Sequence, residues 1–141
     1  MTNNRKNSRF GLVAALVLGS LTAAAAADLS AASKAVWDGH LQKVMSKDLD
    51  AVMADFTDRS AIITSDHVYV GKPEVRAFIA KFVAGLTPAA MASIVMQAEE
   101  AHDNIVCTKF TVGAAKRTFL YTAEIKDGKI VTVSTANYAA E

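Results

Sequence analysis

One cysteine cannot form a disulfide within the chain, and Cys107 is the only one. Whatever holds this protein folded is its apolar core. Cys107 lies in an apolar, strand-like run, where a thiol is expected to be a small buried hydrophobe rather than a nucleophile. Proline is scarce, with Pro73 and Pro88 the two examples. An excess of one charge sign is also missing. Lys and Arg number 15 against 14 Asp and Glu, a formal net charge of +1. That balance implies no basic face, so a nucleic acid partner is not expected. A metal site is not expected either. Glu99, Glu100 and His102 resemble a ligand cluster, but on a strand Glu100 and His102 alone share a face, and two ligands are too few. No cofactor is implied.

What is present begins with a long uncharged run. Arg5, Lys6 and Arg9 precede Phe10 to Ala27, and Ala25-Ala26-Ala27 puts small residues just before Asp28. This is the pattern of a secretory signal peptide, residues 1–27, cleaved after Ala27. The rival reading is an uncleaved anchor, since the run is barely long enough to span a bilayer. Cleavage removes three cations and no anions, taking the net charge from +1 to −2. The mature protein is then expected to be periplasmic or secreted, with no membrane attachment. Residues 28–141 are the right length for one domain.

Along that domain, Ser30 to Met45 reads as a helix. Val36, Trp37, Leu41 and Val44 share its apolar face, and His40 falls inside that face. Leu49, Val52, Met53 and Phe56 repeat the helical spacing, with Asp48 placed to cap. Ser60 to Thr64 and Val68 to Val70 read as two arms of a hairpin around Ser65-Asp66-His67. A third helix starts at Pro73, with Val75, Phe78, Ile79 and Phe82 on one face, and ends near Gly85. Beyond Pro88 the chain reads as strands: Met91 to Ala101, Ile105 to Val112, Arg117 to Lys126 and Lys129 to Tyr138, with Asp127-Gly128 as a tight turn. Helices followed by strands predict an α+β fold. A cone-shaped, curved antiparallel sheet packs on three N-terminal helices, a cystatin-like roll with a pocket between the layers.

The stretch from Asp48 to Val83 carries a resemblance. Asp48-Leu49-Asp50, Phe56, Gly71 and Arg76-Ala77-Phe78 are similar to the SnoaL-like branch of the nuclear transport factor 2-like superfamily. The resemblance implies the curved-sheet fold over nearly all of residues 28–141. It does not fix an activity, because one fold hosts many. Steroid isomerases of this superfamily use a tyrosine on the first helix, an aspartate base and a protonated aspartate on a later strand. Counted from Asp48, those positions fall on His40, Thr64 and near Tyr121. The aspartate base is therefore replaced by threonine, which argues against that mechanism.

The candidate catalytic residues are His40 and Tyr121. His40 is a possible base or hydrogen-bonding group, against the alternative of a buried histidine satisfied by the backbone. Tyr121 shares a strand face with Phe119, Ala123 and Ile125 and is expected on the concave side, its hydroxyl toward His40. The expected ligand contacts are His40, Trp37, Thr64, Phe82, Phe110, Tyr121 and Asn137. Asp66 and His67 sit at a hairpin tip and read as a solvated turn. Three function classes follow. The first is an exported protein binding a small apolar ligand in its pocket. The second is an isomerase, cyclase or hydratase with His40 as base. The third is an interaction module that forms a homodimer through its sheet.

Overall fold

The computed structural model describes the backbone of residues 13–139 and the side chains of residues 24–139. The basic start at Arg5, Lys6 and Arg9, and with it part of the signal-peptide expectation, lies outside the described residues. The elements are α1 (Val13–Met45), α2 (Leu49–Met53), β1 (Phe56–Ile63), β2 (Val68–Val70), α3 (Lys72–Gly85) and α4 (Pro88–Ala92). They continue with β3 (Ile94–His102), β4 (Ile105–Val112), a 3-10 turn at Gly113–Ala115, β5 (Arg117–Lys126) and β6 (Lys129–Ala139). Helix α1 is 33 residues long and runs unbroken past Ala27 and Asp28, so it starts well before Ser30. Its described N-terminal part does not pack. Ala24 to Leu29 are exposed, and the first tie to the sheet is Ser30, whose Oγ accepts the Asp103 N–H at 2.8 Å. Among the described residues no helix is long and apolar enough to cross a membrane.

The sheet has six strands in the order β2-β1-β6-β5-β4-β3. It is curved and unclosed, with the helices on one face, so the α+β architecture holds. The sheet is mixed rather than purely antiparallel. β1 pairs with β6 in parallel, Ile62 opposite Val133, while every other ladder is antiparallel. The reason is the crossover. After β2 the chain leaves through α3 and α4, re-enters at the far edge as β3, and returns by three hairpins. The last strand then meets β1 running the same way.

Several local expectations shift. Phe56 is not the last residue of α2 but the first of β1. Asp48 does cap α2, accepting the Ala51 N–H at 3.0 Å. β1 is irregular between Phe56 and Ala61. There Ser60, fully buried, donates its hydroxyl to Ile130 O at 2.6 Å and accepts the Thr57 N–H at 2.8 Å. Helix α4 interrupts the expected strand. Thr87 accepts the Ala90 N–H at 3.1 Å and Pro88 opens the turn, so β3 starts at Ile94.

The core lies between α1, α2, α3 and the concave face. Trp37 (1% exposed), Val52, Phe56, Ile62, Val75 and Val106 are at its centre. Each such side chain contributes about 1.5–3 kcal/mol on burial. On β5, Ala123 and Ile125 are buried and Phe119 and Tyr121 also face the helices, while Leu120 is exposed on the outer face. The predicted register of β5 is therefore correct. Cys107 is half-buried on the outer face, not in the core. It alternates with Val106 and Thr108, which are fully buried.

Candidate functional site

The helices do not fill the concave face. A cavity of about 470 Å³ lies between α1, α3, α4 and strands β1 and β3–β6, within the range of small-molecule sites. Its wall is apolar and includes a cluster of aromatic rings. Phe110 and Phe119 stack at 5.3 Å, Tyr121 meets Phe110 edge-on at 5.2 Å, and Trp37 meets Tyr121 edge-on at 6.3 Å. From α3, Phe78 and Phe82 face the same space. These contacts follow from the alternation of side chains on β4 and β5, where Phe110 pairs with Phe119 and Thr108 with Tyr121.

The inner end is built on α1. Trp37 donates its indole N–H to Thr108 Oγ1 at 2.7 Å, which lets a full indole sit in the core. One turn on, His40 stacks on Trp37 at 5.3 Å and meets Phe56 edge-on at 5.3 Å. His40 Nδ1 lies 3.0 Å from Asp55 Oδ2. Asp55 is only 8% exposed, and Lys43 Nζ reaches its other oxygen at 2.5 Å. The Asp55 backbone is pinned as well, since its carbonyl accepts the Ile130 N–H at 2.9 Å.

Burial works to raise the Asp55 carboxyl, but the hydrogen bonds from His40 and Lys43, with their charge, outweigh it and hold the group below the ordinary carboxylate range. An ionised carboxylate only accepts, so His40 Nδ1 carries the proton in that bond. In the neutral imidazole, Nε2 is then the acceptor. No buried side-chain nitrogen or oxygen among the described residues lacks a partner. Nε2 has no protein partner there, and His40 lines the cavity, so Nε2 is open to that space. Tyr121 supplies the complementary group. Burial pushes its phenol up to about 12, so it stays protonated and able to donate.

Of the residues expected to contact a ligand, His40, Trp37, Phe82, Phe110 and Tyr121 all line the cavity. Thr64 and Asn137 do not. Thr64 belongs to the β1–β2 turn, where its hydroxyl donates to Asp66 Oδ1 at 2.8 Å and accepts the His67 N–H at 3.0 Å. The hairpin carries it past the end of the cavity. Asn137 lies on the correct face of β6 but beyond the cavity rim, exposed, accepting from Arg117 at 2.6 Å; Thr135 takes its place in the wall. Asp66 and His67 are exposed, as a solvated turn requires. Glu100 and His102 share an exposed face, with Glu99 turned the other way onto Lys34. Among the described residues no group of side chains is arranged to hold a metal.

Asp55 was hidden by the helical spacing of Leu49, Val52, Met53 and Phe56, which would place it on a solvated helix face. The helix ends two residues earlier, at Met53, and the turn that follows swings the carboxylate under α1. Lys81 was equally hidden, because it stands alone among apolar neighbours, and Thr135 because it sits in the polar run Ser134-Thr135-Ala136-Asn137.

No family model matches the chain, and no curated protein matches it in sequence. Solved structures do. An NTF-2 like protein of unknown function from Burkholderia xenovorans is 16% identical, with a TM-score of 0.61 over 80% of this chain and 86% of that one. A steroid delta-isomerase from Pseudomonas aeruginosa is 15% identical, with a TM-score of 0.63 over 78% of this chain and 82% of that one. A de novo designed protein with a curved β-sheet is 13% identical, with a TM-score of 0.61 over 74% of this chain and 83% of that one. The mixed curved sheet, the helices across its concave face and these likenesses give one conclusion: the chain has the nuclear transport factor 2-like (NTF2-like) fold.

Proposed function

We propose that this protein is exported and binds a small, mostly apolar molecule in the cavity under the sheet. The observation that carries the reading is the cavity itself, about 470 Å³ and walled by Trp37, Phe78, Phe82, Phe110 and Phe119. Such a wall removes apolar surface from water at about 25 cal/mol per Å². Two polar side chains in the wall, His40 through Nε2 and Tyr121 through its hydroxyl, orient the ligand by accepting and donating one hydrogen bond each. The probe is N-phenyl-1-naphthylamine, a neutral fluorophore that brightens in apolar surroundings. It should bind the wild type saturably and at one site per chain, and Thr135→Phe, which adds a ring to the wall, should abolish this while the protein stays folded. Saturable binding that Thr135→Phe leaves unchanged would place the probe elsewhere and remove the reading. In the same reading the outer sheet face, where Val95, Leu120 and Tyr138 are exposed, receives a second copy of the chain.

A second reading has its own support in the His40–Asp55 pair, and in the steroid delta-isomerase among the similar folds. In it the site moves a proton in isomerase, cyclase or hydratase chemistry. His40 Nε2 takes a proton from an acidic C–H or O–H of the ligand, and the Asp55 carboxylate stabilises the imidazolium that forms. Tyr121 donates to the oxygen on which negative charge grows. Wild type, His40→Ala and Thr64→Ala are compared on a panel of apolar β,γ-unsaturated ketones. Turnover by wild type and Thr64→Ala, lost in His40→Ala, supports this reading. No turnover by any leaves binding alone.

A further inference from the structure

Among the described residues, the cavity wall carries one formal charge outside its inner end. Lys81 faces the space from α3, is itself exposed, and no Asp or Glu lines the cavity beside it. Its own helix does not neutralise it, since Ala77, Phe78, Ala84 and Gly85 stand three and four residues away. None of the salt bridges among the described residues includes it. Apolar side chains of the lining are also open to water, with Met45 41% and Met96 48% exposed. At the inner end the cation among the described residues, Lys43, is committed to Asp55 at 2.5 Å. An anion would find no free cation there and would meet a buried carboxylate behind His40.

We propose that the ligand is an amphiphilic organic acid, whose apolar body fills the aromatic cavity and whose anionic group ends at the rim on the Lys81 ammonium. The inference rests on the cavity being a ligand site and adds the ligand's class and orientation. The orientation follows from the charges: a free cation at the rim, a neutralised one inside. The long methylene stem of Lys81 lies along the apolar rim while its head meets the anion at the water boundary.

Two fluorophores separate this claim from the one it rests on. N-phenyl-1-naphthylamine and 1-anilinonaphthalene-8-sulfonate share a body and differ by one sulfonate. Both are titrated into wild type, Lys81→Gln and Lys81→Glu, each checked by circular dichroism. Lys81→Gln should weaken the sulfonate about three- to tenfold, the range for a partly exposed charge pair, and leave the neutral probe within about twofold. Lys81→Glu should weaken the sulfonate further. Rising ionic strength should weaken the sulfonate in wild type and much less in Lys81→Gln. Neutral-probe binding with a sulfonate affinity indifferent to Lys81 overturns this inference and leaves the cavity reading standing. Failure of both probes to bind wild type overturns the cavity reading and this inference with it.

Discussion

His40 is fixed by more than its helix. Trp37 covers one ring face, Phe56 abuts it edge-on, and Asp55 holds Nδ1. A histidine so placed has a structural part as well as an open nitrogen, so His40→Ala costs stability even if binding is its main role. The sharper residue-scale test is Asp55. Its carboxyl is held below the ordinary range in the fold, so the ionised form is the one that stabilises. That contribution is fully present above the unfolded value of about 3.9 and is lost as pH falls through the lower folded value. Asp55→Asn should therefore melt below wild type at pH 7, by about 1–3 kcal/mol. The gap should narrow below about pH 4 as wild type gives up the same interaction. Thermal melts from about pH 7 down to about pH 2.5 measure it. A gap that stays constant over that range would mean that the carboxylate's charge contributes nothing.

Among the elements, those with a clean period were legible from sequence, and those set by tertiary context were not. β4 and β5 have the expected bounds, β5 also the expected facing, and the turn at Asp127-Gly128 is as expected, with both turn residues at positive φ. The α2–β1 junction was not legible. Phe56 fits a helical repeat, but its backbone goes to the ladder opposite Ile130, a pairing that only the folded sheet supplies. For the site, the apolar spacing of α1 was enough to find Trp37 and His40. The partner of His40 comes from a turn 15 residues away, and no period records such a contact. Thr64 lies outside the cavity wall because counting along the chain ignores how far a hairpin projects. Gly71, at the β2–α3 junction, gives an element-scale prediction. Its φ is +82, and an added Cβ would sit 3.4 Å from Asp58 O, while its N–H is bonded to Ser60 O at 2.8 Å. With ψ at 158, its backbone is one that side chains scarcely adopt, so Gly71→Ala should cost about 1–3 kcal/mol and lower the melting temperature. An unchanged melt would show that the junction relaxes freely.

For the whole molecule, the ties of α1 to the sheet begin at Ser30, while Ala24 to Leu29 are exposed. That division suits the proposed export. The mature chain should start at Asp28, and intact-mass spectrometry of the exported protein reads this directly; full-length chain recovered from the membrane fraction would contradict it. The central claim is that a ligand enters the space under the sheet. Trp37 is the chain's one tryptophan, it lines the cavity, and its indole N–H is held on Thr108. In a ¹⁵N–¹H correlation spectrum it gives a single indole signal from inside the wall. On titration with N-phenyl-1-naphthylamine that signal should move saturably, in step with the fluorescence. An indole signal that stays fixed while the fluorescence saturates would mean the probe binds outside, and would contradict the account.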